Sequence, residues 1–176
     1  MQLLSNAEID NICRRAADYT HTWAYESGTP ASILDFYLID MFRNFYNTGL
    51  RFYELADPTK WSNPSEGIYI CQTLKGSDPR TFNAIELSDY FINCLNDNVD
   101  PYPMCRYSTA VRYFKKVILH INVVMSGRGI SIHLFRHNKV KQMKDDFFTT
   151  QEISDYLGEV DNRNTTEYIT SDIYQE

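Results

Sequence analysis

The chain reads as mainly α-helical, with one small antiparallel β-hairpin set into it. Apolar residues recur at helical spacing through most of its length, two short β-rich runs flank a single turn near residue 75, and Gly and Pro cluster between the helical runs. Ser5-Asn6-Ala7-Glu8 places Ser three residues before Glu, a capping signature, so a first helix starts there and runs to about Tyr25, stopped by Gly28-Thr29-Pro30. From Ala31, the spacing of Ile33, Phe36, Tyr37, Met41 and Phe45 predicts a second helix to about Asn47. It delivers the chain into Thr48-Gly49 and leaves Arg51 at a helix boundary. Glu66 to Leu74 and Thr81 to Leu87 are predicted strands, with Lys75-Gly76-Ser77-Asp78-Pro79 as the turn and Lys75 at its tip. A helix follows over Ser88 to Leu95, then a rigid break at Asp100-Pro101-Tyr102-Pro103. A long helix over Ser108 to Met125 carries Val111, Phe114, Ile118 and Ile121 on one side, and Ser126-Gly127-Arg128-Gly129 breaks the chain again. The last third predicts helices over Leu134 to Lys144, Thr150 to Leu157 closed by Gly158, and Asn164 to Tyr168.

A length of 176 residues suits one domain, spanning 1–176, with a substantial core. No apolar run approaches the roughly 18 to 20 residues needed to span a bilayer, and Met1-Gln2-Leu3-Leu4-Ser5-Asn6 lacks the basic and apolar regions of a signal peptide. A cytoplasmic protein without a membrane partner is the expectation. Cys13, Cys71, Cys94 and Cys105 lie far apart, with no Cys-x-x-Cys pair and no histidine at ligand spacing, so neither a zinc site nor a disulfide framework is expected.

The net charge of −6 argues on its face against a nucleic-acid partner, since affinity for DNA rests on cations. Its distribution reverses that impression. Met104 to Lys144 holds nine Lys or Arg and no Asp or Glu, whereas Asp145 to Glu176 holds nine acidic residues against Arg163 alone. A chain so polarised can turn a basic face to DNA and keep an acidic remainder.

Four islands carry chemistry: Thr48-Gly49-Leu50-Arg51-Phe52-Tyr53-Glu54-Leu55, His133-Leu134-Phe135-Arg136-His137, Leu157-Gly158 and Tyr168. Two arginines, a histidine, a lysine and a late tyrosine suit attack on a DNA phosphodiester by a phenol. The broken bond is stored as a phosphotyrosine ester, so resealing is the same step reversed and needs neither cofactor nor metal. Planar guanidiniums stabilise the charge that builds on the non-bridging oxygens. A phenol of pKa about 10 needs help to lose its proton, and the departing deoxyribose oxygen needs a proton supplied.

On these residues, in this order and spacing, the chain resembles the catalytic domain of the tyrosine recombinases, also called the phage integrase family. Thr48-Gly49-Leu50-Arg51-x-x-Glu54-Leu55 resembles the family's first arginine motif, with Glu54 as the acidic buttress, and His133-x-x-Arg136 resembles its His-x-x-Arg box. The resemblance implies the DNA breaking-rejoining fold, catalysis by Arg51, His133 and Arg136, and Lys75 on the hairpin turn as general acid. It makes Tyr168 the nucleophile: the family's Leu-Gly-His tripeptide precedes its tyrosine by nine positions, and Tyr168 stands nine after Glu159.

Glu159 departs from the pattern, because the family has a hydrogen-bond donor to the scissile phosphate there. Three readings are open: a protonated Glu159 donates, its side chain turns away, or this copy is impaired. A smaller departure is Phe147-Phe148, where a glycine usually ends the preceding helix. Arg128, His137, Lys139, Lys115 and Lys116 are the expected DNA contacts. The resemblance covers essentially the whole chain, with Leu4 to Ile9 as the opening of the catalytic domain, no N-terminal core-binding domain, and 169–176 as a short tail. It implies a site-specific recombinase or integrase of a mobile element, acting on double-stranded DNA, self-associating as a tetramer on it and associated with the nucleoid. The alternatives are a catalytically impaired DNA-binding or regulatory relative, and a type IB topoisomerase-like nicking and resealing enzyme.

Overall fold

The computed structural model describes Ala7, Asn11 and residues 33–73, 77–103, 105–120, 132–160 and 163–170. Ala7 and Asn11 are helical; the rest of the first predicted helix lies outside the described residues. Helix α1 (Ile33–Thr48) buries Leu38, Met41, Phe42 and Phe45, a stripe at helical spacing. It packs against α5 (His133–Asp145), where Phe135 meets Phe42 and Phe45 with ring centroids 5.7 and 6.0 Å apart. Phe114 of α4 (Tyr107–His120) closes this aromatic centre, 5.3 Å from Phe135 and 5.6 Å from Phe42. Among the described residues, much of the buried phenylalanine and tyrosine packs ring against ring in this core. The predicted α4 segment beyond His120 lies outside the described residues.

Beneath the rings runs a buried polar network. Tyr102 Oη and Ser88 Oγ donate to Asp40 Oδ2 at 2.7 and 2.9 Å, and Asn44 Nδ2 donates to Tyr102 Oη at 2.9 Å. It ties α1 to Ser88, the N-cap of α3 (Asp89–Asn96), and to the Pro101–Pro103 break. Burial raises the Asp40 carboxyl above its ordinary value against the pull of the Tyr102 and Ser88 hydrogen bonds.

The hairpin expected from sequence is a three-stranded antiparallel sheet in the order β1-β2-β3, built from β1 (Trp61–Ser65), β2 (Ile68–Cys71) and β3 (Arg80–Asn83). The short α2 (Phe52–Leu55) and a 3₁₀ turn at Pro58–Lys60 lead into it. The sequence hides β1 because Trp61-Ser62-Asn63-Pro64-Ser65 is an edge strand, exposed after Trp61, with its register shifting between Ser62 and Ser65 and a proline where the ladder breaks. The predicted Glu66–Leu74 strand shortens to β2 because Glu66 and Gly67 form the turn from β1, Gly67 at φ +74°. The predicted Thr81–Leu87 strand ends at Asn83, whose N–H donates to Glu86 Oε2 at 2.9 Å and starts a 3₁₀ turn over Ala84–Glu86.

The C-terminal helices form a second small cluster. Val140 and Met143 of α5 meet Ile153 and Leu157 of α6 (Thr150–Leu157), with Ile169 of α7 (Arg163–Thr170) packed on them. Helix α7 runs two residues past the predicted Tyr168 terminus, so Ile169 belongs to the fold and not to a tail; residues 171–176 lie outside the described residues. Among the described residues no helix is long and apolar enough to cross a membrane.

Helix α5 ends without a glycine. Phe147, 94% exposed, takes the left-handed conformation at φ +65°, and Phe148 N–H donates to Met143 O at 2.9 Å. A Cβ in that conformation costs about 1–2 kcal/mol, whereas glycine adds roughly 0.4–1 kcal/mol of unfolded-state entropy to lose. Phe147→Gly is therefore expected to stabilise the protein by about 1 kcal/mol, read as a raised denaturation midpoint; a lowered midpoint contradicts it.

Candidate functional site

The end of α1 is shaped to bring Arg51 up to α5. Thr48 Oγ1 donates to Asn44 O at 2.5 Å and accepts from Leu50 N–H at 3.2 Å, turning the chain. Gly49 follows at φ +62°, where a Cβ would lie 3.0 Å from Lys139 Cβ. Only glycine satisfies both the dihedral and the close approach. Arg51 then caps α2: its N–H donates to Glu54 Oε2 at 2.6 Å and its Nη1 to Glu54 Oε1 at 3.1 Å. Glu54 is fully buried, so one carboxylate holds both the backbone and the guanidinium of Arg51.

Arg136, 3% exposed, reaches across from α5. Its Nη1 donates to Gly49 O at 3.1 Å, and its Nη2 to Leu157 O at 3.0 Å and to Glu159 Oε1 at 3.1 Å. Arg51 Nη2 lies 3.8 Å from that same Glu159 oxygen. Two guanidiniums from distant parts of the chain thus converge on one anionic oxygen. Arg136 Nε, buried, has no hydrogen-bond partner among the described residues.

His133 stands one helical turn before Arg136. It reaches solvent, yet burial of part of its ring, then the charges of Arg51 and Arg136, hold the imidazole below its ordinary value, with Glu54 opposing. The shift favours the neutral imidazole, the form able to accept a proton.

Of the three readings of Glu159, one concerns where its side chain points. Its side chain faces the arginines and does not turn away. Oε1 accepts from Arg136 Nη2 and Oε2 accepts from Thr165 Oγ1 at 2.9 Å. Its backbone is fixed by Gly158, at φ +67°, where a Cβ would fall 2.5 Å from Asp78 O and 2.9 Å from Arg80 Cγ. The β2–β3 loop is tied to this turn, since Asp78 N–H donates to Gly158 O at 3.1 Å. Lys75, expected at the tip of that loop, lies outside the described residues, as does Arg128.

Tyr168 lies on α7, which packs against α5 and α6 and supplies the Thr165 hydroxyl to Glu159; the ring of Tyr168 is outside the described residues. Tyr156, on α6, is committed elsewhere. Its hydroxyl donates to Glu86 Oε1 at 3.1 Å, its ring stacks on the Arg80 cation, and burial pushes its phenol well above the usual value.

Sequence reasoning missed Arg80. It is 1% exposed, donating from Nε to Tyr156 O and from Nη2 to Thr48 O, both at 2.6 Å, with Nη1 3.7 Å from Glu54 Oε2. Phe82 and Tyr156 cover the guanidinium at 4.8 and 5.0 Å. The available signal was alternation: Arg80 shares the inward face of β3 with Phe82.

Of the expected DNA contacts, Lys115 and Lys116 are exposed on α4 beside Arg112. Lys139 is half-buried, its Nζ 5.5 Å above the Tyr156 ring, and burial lowers its ammonium below the ordinary value. His137 is lowered from 6.5 to about 4, first by burial, then by His133 and Arg136, so it brings no charge to a phosphate at neutral pH. The sign of its effect on stability is definite. Between pH 6.5 and about 4 the unfolded chain takes up a proton that the folded chain refuses, so stability is full above 6.5 and lost as pH falls. Discounted for partial exposure, the loss is on the order of 1–2 kcal/mol. Urea denaturation at pH 7 and at pH 4.5 is expected to show a smaller drop for His137→Gln than for the native protein; equal drops contradict it.

No family model, no curated protein and no solved structure matches this chain.

Proposed function

We propose that this chain is the catalytic domain of a tyrosine-type site-specific recombinase or integrase, cleaving and rejoining double-stranded DNA through a 3'-phosphotyrosine ester. The observation that carries the reading is the convergence of Arg51 and Arg136 on a single oxygen, with His133 one turn away and the helix of Tyr168 packed alongside. A seat that already holds one oxygen between two guanidiniums suits a non-bridging phosphate oxygen, where charge grows as the pentacoordinate state forms. Neutral His133 takes the phenolic proton as Tyr168 attacks phosphorus. The bond from phosphorus to the 5' oxygen breaks, and Lys75 supplies that oxygen's proton. Rejoining reverses each transfer. The exposed Arg112, Lys115 and Lys116 of α4 supply cations for the DNA backbone, and self-association on DNA belongs to the same proposal.

One observation favours a second reading, a DNA-binding relative without catalysis: Glu159 fills the seat with a carboxylate. Incubation with a randomised library of nicked duplexes at low salt separates the two. The recombinase reading expects DNA covalently joined to the protein through tyrosine; DNA that is retained but never joined leaves the binding protein.

A further inference from the structure

The Arg51–Arg136 seat is occupied by the protein's own chain. Glu159 Oε1 lies 3.1 Å from Arg136 Nη2 and 3.8 Å from Arg51 Nη2, with the Glu159 side chain 4% exposed and that of Arg51 25% exposed. The opening to solvent is therefore on the Arg51 side. Arg136 Nε, buried and without a hydrogen-bond partner among the described residues, is donor capacity that the carboxylate does not use. The backbone of Glu159 is fastened: its N–H donates to Ser154 O at 2.9 Å, and its carbonyl accepts from Ser154 Oγ at 3.2 Å. Only the side chain has freedom to leave.

We infer that Glu159 is an affinity-setting residue, an internal counter-ion that a phosphate must displace from between Arg51 and Arg136 before it can bind. When the carboxylate rotates out, Arg136 Nη2, Arg51 Nη2 and Thr165 Oγ1 lose their shared acceptor and become the donor set for the incoming oxyanion. Displacement costs the ion pair that it breaks, so the native protein binds oxyanions weakly and DNA phosphates compete with a tethered carboxylate at high effective concentration. Removing the charge while keeping the shape removes the competitor.

The inference rests on reading the two arginines as a phosphate seat, but it needs no tyrosine chemistry. Inorganic phosphate is titrated at fixed ionic strength against the full chain, with binding followed by calorimetry. Glu159→Gln is expected to bind phosphate at least tenfold more tightly than the native protein. Asp97→Asn makes the same change in net charge at an exposed residue and is expected to bind like the native protein. Arg51→Gln added to Glu159→Gln is expected to lose the gain. If the amide prevents folding, Glu159→Ala carries the same expectations.

Equal affinity for the native and Glu159 variants, no phosphate binding by any of them, an equal gain in Asp97→Asn, or a gain that survives loss of Arg51 each overturns the inference. A phosphate gain in a protein that never joins DNA overturns the catalytic reading and leaves this one standing.

Discussion

Tyr168→Phe is expected to abolish the covalent protein–DNA adduct, with a loss of at least about a thousandfold, or roughly 4 kcal/mol of transition-state stabilisation. The substitution deletes one oxygen, the atom that would become the ester linkage in the proposed reaction. Tyr156 is fixed to Glu86 and stacked on Arg80, so it does not substitute. Tyr156→Phe should cost stability through its lost hydrogen bond yet keep the adduct. DNA retention by Tyr168→Phe should match the native protein, because the exposed Arg112, Lys115 and Lys116 are untouched. The readout is the band of protein-linked DNA on a denaturing gel; an adduct that persists in Tyr168→Phe and vanishes in another tyrosine variant moves the nucleophile elsewhere.

Arg80→Met should destabilise the fold by about 3–5 kcal/mol, enough to lower the melting temperature by roughly 10 °C or more. The side chain is fully enclosed, and burial followed by the charge of Arg136 lowers its guanidinium to about 10, which leaves it cationic at neutral pH. Methionine keeps the apolar contact with Phe82 and Tyr156 but strands the carbonyls of Thr48 and Tyr156, each held at 2.6 Å, inside the protein. Lysine cannot replace the fork, since one ammonium does not reach the two carbonyls and Glu54 together, so Arg80→Lys should fall close to Arg80→Met. A change below about 1 kcal/mol in thermal or urea denaturation would show that the buried cation is neutral to the fold, an outcome known for other buried ion pairs. The positions at stake also shape the candidate site: Thr48 begins the turn to Arg51, and Tyr156 precedes the turn to Glu159.

The difference between the legible and the hidden parts follows the range of the forces involved. Helices α1, α3, α4 and α6 were readable because a periodicity or a cap is written into a few consecutive residues, as Thr149 and Glu152 cap α6. Strand β1 was not, because an exposed edge strand with a proline carries no alternation to read. Arg51, His133 and Arg136 could be nominated from short motifs. That Arg51 and Arg136 converge on one oxygen of Glu159 could not, because residues separated by most of the chain meet only when α1, α5 and the Gly158 turn pack together.

Glu159 and Arg80 make the same point from opposite sides. In sequence, Glu159 is a carboxylate out of place and Arg80 a strand arginine of no note. Burial gives each its meaning: taken out of water, a charge must find partners or shift, so Glu159 settles on Arg136 and Thr165, and Arg80 on Thr48, Tyr156 and Glu54. Residue order therefore specified the helices, the turns and the candidate chemistry, since those depend on neighbours along the chain. Packing specified which charges are paired and which seat is filled, since desolvation and ion pairing depend on neighbours in space.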